Sequence, residues 1–421
     1  PLGLPYVLHP SPSMPVIPVF VHLLYHDLSK ESEPFYQDGF RFSCHSRYDH
    51  NMNDKRTPQT IVVKLGTSTL TGGTARLSRP HMLELIRQVM LLQREGHRIV
   101  LVSSGAMAAG RELLGDPDLP NHLPAKQMLC AVGQGYLIQV YSTLFGLYDV
   151  HIGQVLLTHD DFSHRTRYLN ARNTLSTLLD YGIVPVVNEN DTVAVEEIKV
   201  GDNDNLSAQI AALLDADLLI LLTDQEGLYD RNPHLHPDAR LIPEVRDIDE
   251  HIWKLAGGTT NYLGTGGMVT KLQAAQLATR SGTRTVIAHG RLPDVLLRVV
   301  QGERLGTTFL PASNHLESRK RWLLAERPQG TLQVDEGAAR VLRENGASLL
   351  PVGVRAVRGD FERGAVVRIV DSGQRALAQG LTNYTSLELA QLCGRRSQEI
   401  IEVLGYTYGD EAVHRDNMVI I

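Results

Sequence analysis

Two lysines and two clusters of Asn and Asp hold the groups with which this chain could do chemistry. Lys64 lies near the end of the apolar stretch Ile61–Leu65, and Lys271 ends the glycine-rich stretch Gly264–Lys271, GTGGMVTK. An ammonium in an otherwise buried strand is costly unless an anion meets it. Lys64 therefore reads as a phosphate ligand, or more blandly as a lysine snorkelling at a strand edge. Gly66-Thr67-Ser68 offers backbone N–H groups to the same anion. In the second stretch Gly266 and Gly267 let the backbone approach phosphate oxygens, the helix that follows favours negative charge at its N-terminus, and Lys271 adds a full positive charge. The Walker A order GxxxxGK[ST] is absent. Glycine-rich turns before helices are common, but two lysines and two loops converging on phosphate are harder to dismiss than either loop alone.

The clusters are Asn188–Asp191 (NEND) and Asp202–Asn205 (DNDN), about ten residues apart within Val184–Ala208. Their amides and carboxylates suit an amino-acid ammonium, Mg²⁺ or ordered water. Turn and N-cap chemistry would also put Asn and Asp there, and would be the preferred reading for one cluster alone. Core-like segments flank both clusters, which shifts the balance toward a site.

Positioning these groups requires a sheet. The apolar segments Ile61–Leu65, Ile99–Val102, Ile152–Leu157, Val184–Val187 and Leu218–Leu222 alternate with helical patterns. A helix opens at Pro80 and stops at Gly96; others are expected over Ala125–Val140, Arg167–Leu179, Leu206–Leu214 and Leu272–Ala278. This βαβ rhythm predicts an α/β core with a mainly parallel sheet. Four strands end in small or polar residues, at Gly66–Ser68, Ser103–Ala106, Asn188–Asp191 and Thr223–Leu228, which predicts one crevice along the carboxyl edge of that sheet.

At 421 residues and 43% hydrophobic content the chain can bury a large core and a smaller domain. Its net charge of −6 provides no broad basic surface for nucleic acid or an anionic membrane. Cys44, Cys130 and Cys393 are too few and too scattered for a disulfide framework or zinc site, so a reducing cytoplasm fits. No apolar run approaches the roughly 20 residues that span a bilayer. Residues 1–51 are proline-rich and lack periodicity; they are expected to be an extension, disordered or foreign to the natural protein, with Met52 as its start. Residues 52–313 are expected to form the catalytic domain, 314–328 a linker and 329–421 a small β-rich domain. Residues 315–421 carry 14 Lys/Arg and 14 Asp/Glu, a balance that speaks against RNA as its partner.

Six motifs then carry a resemblance: VVKLGTS at 62–68, SSGAMAAGR at 103–111, VPVVNENDTV at 184–193, EIKVGDNDNLSA at 197–208, LLTDQEGLY at 221–229 and GTGGMVTK at 264–271. From about Met52 onward the chain resembles the bacterial glutamate 5-kinases. The resemblance implies the amino acid kinase fold, a three-layer αβα sandwich around a mainly parallel sheet, followed by a β-rich PUA domain. It implies ATP-dependent phosphorylation of the γ-carboxylate of L-glutamate, the first step of proline biosynthesis. Carried over by position, Lys64 and Lys271 stabilise the transferring phosphoryl group and Asp204 orients them. Ser104, Asp191 and Asn203 fall on glutamate-binding positions, with Asn188 in the same loop. Lys64, Thr223, Asp224, Thr265, Gly266, Gly267, Met268, Val269, Thr270 and Lys271 fall on ATP-binding positions. Mg²⁺ is expected through the ATP phosphates and water, with no metal ligand assigned. The resemblance also implies inhibition by L-proline, a homotetramer and hand-off of glutamyl phosphate to a reductase. Two rivals stay open: another amino acid kinase, acting on N-acetylglutamate, aspartate or a small phosphate acceptor, and an RNA-binding protein on a passive kinase scaffold.

Overall fold

The computed structural model describes residues 57–194, 203–233, 235–257, 267–311, 323–324 and 326–421. The expected extension, most of the expected linker, and Thr265 and Gly266 lie outside the described residues. The first sheet has the order β3-β4-β2-β1-β5-β7-β8-β6. Its strands are β1 Thr60–Leu65, β2 Arg98–Ser103, β3 Ile152–Leu157, β4 Val184–Glu189, β5 Leu218–Thr223, β6 Glu244–Val245, β7 Arg284–His289 and β8 Thr307–Phe309. Neighbours run parallel except β8, which is antiparallel to β7. Strand order reverses direction at β1, flanked by β2 and β5, so a crevice opens at its carboxyl end.

Seven helices matter for the site: α1 Arg79–Arg94, α2 Ala106–Leu113, α3 Leu123–Gly146, α4 Arg165–Asp180, α5 Asp204–Leu213, α6 Met268–Arg280 and α7 Val295–Val300. Alternation along β1 divides them into two layers. Ile61, Val63 and Leu65 pack with α1, α3 and α7 on one face, whereas Val62 packs with α4, α5 and α6 on the other. The result is the αβα sandwich. Lys64, two residues after Val62, is thereby aimed at the α5 and α6 side.

Helix α3 holds its place by close contact with α2. A methyl group at Gly133 would lie 1.8 Å from the carbonyl oxygen of Ala106, and one at Gly110 would lie 2.1 Å from that of Leu129. Both crossings need bare backbone. Gly133→Ala is expected to lower Tm by roughly 3–5 °C through overpacking. Gly135→Ala, two residues away and facing open space, should leave Tm unchanged or slightly raised. Equal melting of the two variants would contradict this account of the crossing.

A second sheet follows, in the order β10-β9-β11-β12-β13, from β9 Gly330–Val334, β10 Val354–Arg358, β11 Val366–Val370, β12 Ala376–Leu381 and β13 Met418–Ile420. Its core also takes Ala339 and Leu342 from a helix over Glu336–Asn345, and Leu389 and Leu392 from a helix over Ser386–Leu392. Neither helix is among the elements expected from the sequence, where short strand-like runs dominate this region. The sheet meets α4 through Leu169, which packs with Val366, Leu381 and Val419. An Arg165–Glu326 ion pair at 3.1 Å and an Arg363–Asn170 hydrogen bond flank that contact. Among the described residues no helix is long and apolar enough to cross a membrane.

Candidate active site

The carboxyl edges of β1, β2, β4 and β5 and the N-terminal turns of α5 and α6 meet at Asp204. This residue opens α5 and is completely buried, 0% exposed. Its Oδ1 lies 2.6 Å from Nζ of Lys64, and its Oδ2 accepts from Nζ of Lys271 at 3.1 Å and from Oγ1 of Thr270 at 3.1 Å. Lys64 is itself 5% exposed, and the Lys271 side chain 12%. One carboxylate between two ammoniums leaves a net positive charge at the floor of the crevice. Such a buried arrangement gains little stability by itself, because desolvation offsets much of the attraction. Its chemical use is to offer fixed positive charge to an anion in a site of low dielectric. The N-terminal dipole of α5 favours the carboxylate at its first position.

Asn203 precedes Asp204 and reaches the other way. Its amide Nδ2 donates to the backbone carbonyl of Ser103 at 2.7 Å, to Oδ1 of Asn188 at 2.7 Å and to Oγ of Ser104 at 3.3 Å. Asn188 in turn donates from Nδ2 to Oε1 of Gln134 on α3 at 2.7 Å. Gln134, Cys130, Glu189 and Asp191 line a pocket of about 190 Å³ with Asn190 and Thr192. The Cys130 thiol donates to the Asp191 carboxylate; burial first, then that negative charge and hydrogen bond, push its pKa up to about 12. It is a neutral lining group at neutral pH, not a nucleophile.

Lys64, Asp204, Thr270 and Lys271 therefore come together as one cluster, and Asn203, Asn188 and Ser104 as a second that adjoins it. Asp191 lines the adjacent pocket in hydrogen-bond contact with Cys130. Thr223 and Asp224 lie apart at the end of β5, where Oγ1 of Thr223 donates to Oδ1 of Asp224 at 3.1 Å. Gly267, with a positive φ of 89°, precedes α6, whose first turn holds Met268, Val269, Thr270 and Lys271.

At the site itself two boundaries differ from the sequence reading, besides α3, which runs Leu123–Gly146 where Ala125–Val140 is expected. Strand β4 continues through Asn188 and Glu189, paired with Leu156 and Leu157 of β3, so the polar cluster starts within the ladder and not after it. Hydrogen bonds from Asn203 and to Gln134 satisfy the Asn188 amide there, which periodicity alone does not reveal. Helix α6 starts at Met268 and not Leu272, because its first apolar buried position comes only after a turn of site residues. Sequence reasoning does not single out Gln134 at all, and it gives Cys130 no role in a site. The helical spacing of these two residues on α3, one turn apart, is the signal that could have found them.

Residues 59–289 match the amino acid kinase family, and residues 330–404 match the PUA domain. The chain is 55% identical over 374 residues to the glutamate 5-kinase of Photobacterium profundum, covering 88% of this chain and 99% of that protein. It is 55% identical over 361 residues to the glutamate 5-kinase of Deinococcus radiodurans, covering 86% and 99%, and 54% identical over 362 residues to that of Sodalis glossinidius, again covering 86% and 99%.

Proposed function

We propose a mechanism from the premise that this chain belongs to the amino acid kinase family and, within it, to the glutamate 5-kinases. It phosphorylates the γ-carboxylate of L-glutamate in proline biosynthesis. The γ-carboxyl has a reference pKa of about 4.3, so at neutral pH it is already an ionised nucleophile and needs no general base. Catalysis then consists of holding two anions in line and neutralising charge on the phosphoryl oxygens.

The observation that carries this reading is Asp204, bridging Lys64 at 2.6 Å and Lys271 at 3.1 Å from the residue next to Asn203. Asp204 fixes both ammoniums so that their other N–H groups aim at a common phosphoryl group. Asn203, Asn188, Ser104 and Asp191 hold the glutamate, with the Asp191 carboxylate facing its ammonium. Gln134 joins them by orienting the Asn188 amide. Thr223, Asp224 and the α6 N-terminus, with Gly267 to Lys271, receive ATP. The donor set fits a polyphosphate, since two ammoniums outweigh one carboxylate. Mg²⁺ would be carried on the ATP phosphates and water, since Mg²⁺ in nucleotide sites usually keeps several waters. When bound, ATP supplies the phosphoryl group and Mg²⁺ neutralises part of its charge. The same reading extends to L-proline as an inhibitor overlapping the glutamate pocket, to a homotetramer and to hand-off of the labile acyl phosphate to a reductase.

Assay of ATP-dependent ADP release with L-glutamate, N-acetylglutamate, aspartate and UMP tests the substrate. L-glutamate should give the highest kcat/KM, and hydroxylamine should trap an acyl phosphate. A preference for any of the other three, or the absence of a trapped product, would overturn the assignment. Within this scheme Asp191→Ala should raise the glutamate KM by roughly 10- to 100-fold, the worth of one charge-assisted hydrogen bond, while kcat changes little. An unchanged KM would remove Asp191 from the glutamate site.

A further inference from the structure

The second sheet carries a groove that the phosphoryl-transfer chemistry does not use. It has a volume of about 370 Å³ and is lined by Arg358, Thr331, Arg368, Gly359 and the segment 327–330, which begins with Arg327. We propose that this groove is a binding site for the phosphate groups of a small phosphorylated molecule.

Strand register builds it. Thr331 of β9 pairs with Arg358 of antiparallel β10 on one side and with Arg368 of parallel β11 on the other. The three residues stand in one row across the sheet, and with strands spaced about 4.8 Å the two arginine Cα atoms are roughly 10 Å apart. Arg327 enters the same groove from the segment before β9. All three arginines are exposed, and no Asp or Glu is among the lining residues. Three neighbouring carboxylates have partners elsewhere: Glu326 pairs with Arg165 at 3.1 Å, Asp371 with Arg343 at 3.2 Å, and Asp360 accepts from the Ser386 hydroxyl at 3.3 Å. Arg358 donates to the neutral side-chain carbonyl oxygen of Gln374 at 3.4 Å.

With β9 between the two strand arginines, their exposed guanidiniums repel only weakly through solvent, and a multiply charged anion in the groove would meet all three positive charges at once. Guanidinium forks match phosphate geometry, and the Thr331 hydroxyl adds a further donor. The groove lies within the size range of small-molecule sites. The balance of charge over residues 315–421, 14 basic against 14 acidic, argues for a small ligand over nucleic acid, which needs a basic track longer than one groove.

Titration calorimetry of the full chain with inorganic tripolyphosphate tests the proposal, with Arg358→Gln/Arg368→Gln compared against the unaltered chain. The double variant should lose one binding site per chain, or bind there at least about 100-fold more weakly, tenfold or more for each charge-assisted contact removed. Raising the salt concentration should weaken the same site in the unaltered chain. Kinase kcat and Tm should not change, since both arginines are exposed and distant in sequence from the phosphoryl-transfer lysines. Identical stoichiometry and affinity in the two proteins would overturn the proposal. So would tighter binding of a single-stranded oligoribonucleotide than of tripolyphosphate through the same arginines, which would make the groove a nucleic-acid contact.

Discussion

Lys64→Ala is expected to lower kcat by about three orders of magnitude while Tm stays within a few degrees of the unaltered protein. Removal of one preorganised charge-stabilising donor typically costs about 10²- to 10³-fold, and cationic groups in phosphoryl transfer often contribute more. The fold should tolerate the change, because Asp204 keeps Lys271 and Thr270 as partners, each at 3.1 Å. A cavity forms at the end of β1, but no lysine is left without its carboxylate. Steady-state kinetics with saturating ATP and glutamate, beside a thermal melt, provide the comparison. A kcat within tenfold of normal in a folded Lys64→Ala protein would show that the lysine only fills space beside the carboxylate.

Asp204→Ala should do more harm, in both activity and stability. Its carboxylate compensates two ammoniums, and that of Lys64 is only 5% exposed. Breaking a buried ion pair from one side costs about 3–5 kcal/mol, because the remaining charge stays desolvated. In a chain of this size that corresponds to a Tm lower by roughly 5 °C. Asp204→Asn separates the two contributions. The amide keeps the shape and can accept from Lys64 or Thr270, so it should recover part of the Tm while kcat remains reduced at least about 100-fold. If kcat recovered along with Tm in the Asn variant, Asp204 would be a structural residue and the lysines would not depend on its charge.

Much of this site was legible because its chemistry is written in residue types that are out of place. A lysine near the end of an apolar strand, and two Asn/Asp clusters beside apolar runs, are difficult to explain as packing. The strand and helix rhythm around them predicted a mainly parallel sheet with its crevice at the carboxyl edge, and the fold follows that arrangement. Gln134 was less visible, since a glutamine on a long helix is unremarkable until its neighbours are known. The arginine row was equally hidden: Arg358 and Arg368 are ten positions apart, and only pairing of both with Thr331 brings them together.

By itself the sequence determined which groups are available and on which elements they lie, because hydrophobic periodicity and the cost of burying a charge act locally along the chain. It placed Lys64 on β1, Asp204 at the start of α5 and Lys271 before the apolar stripe of α6. Tertiary structure alone decided that one carboxylate holds both lysines. That arrangement depends on strand order and on side-chain alternation: β1 lies between β2 and β5, and its even-numbered residues face the layer in which α5 and α6 pack. Residues 64, 204 and 271 meet only because that layer closes over the carboxyl edge, and no property of the separate segments specifies the distance at which they do so.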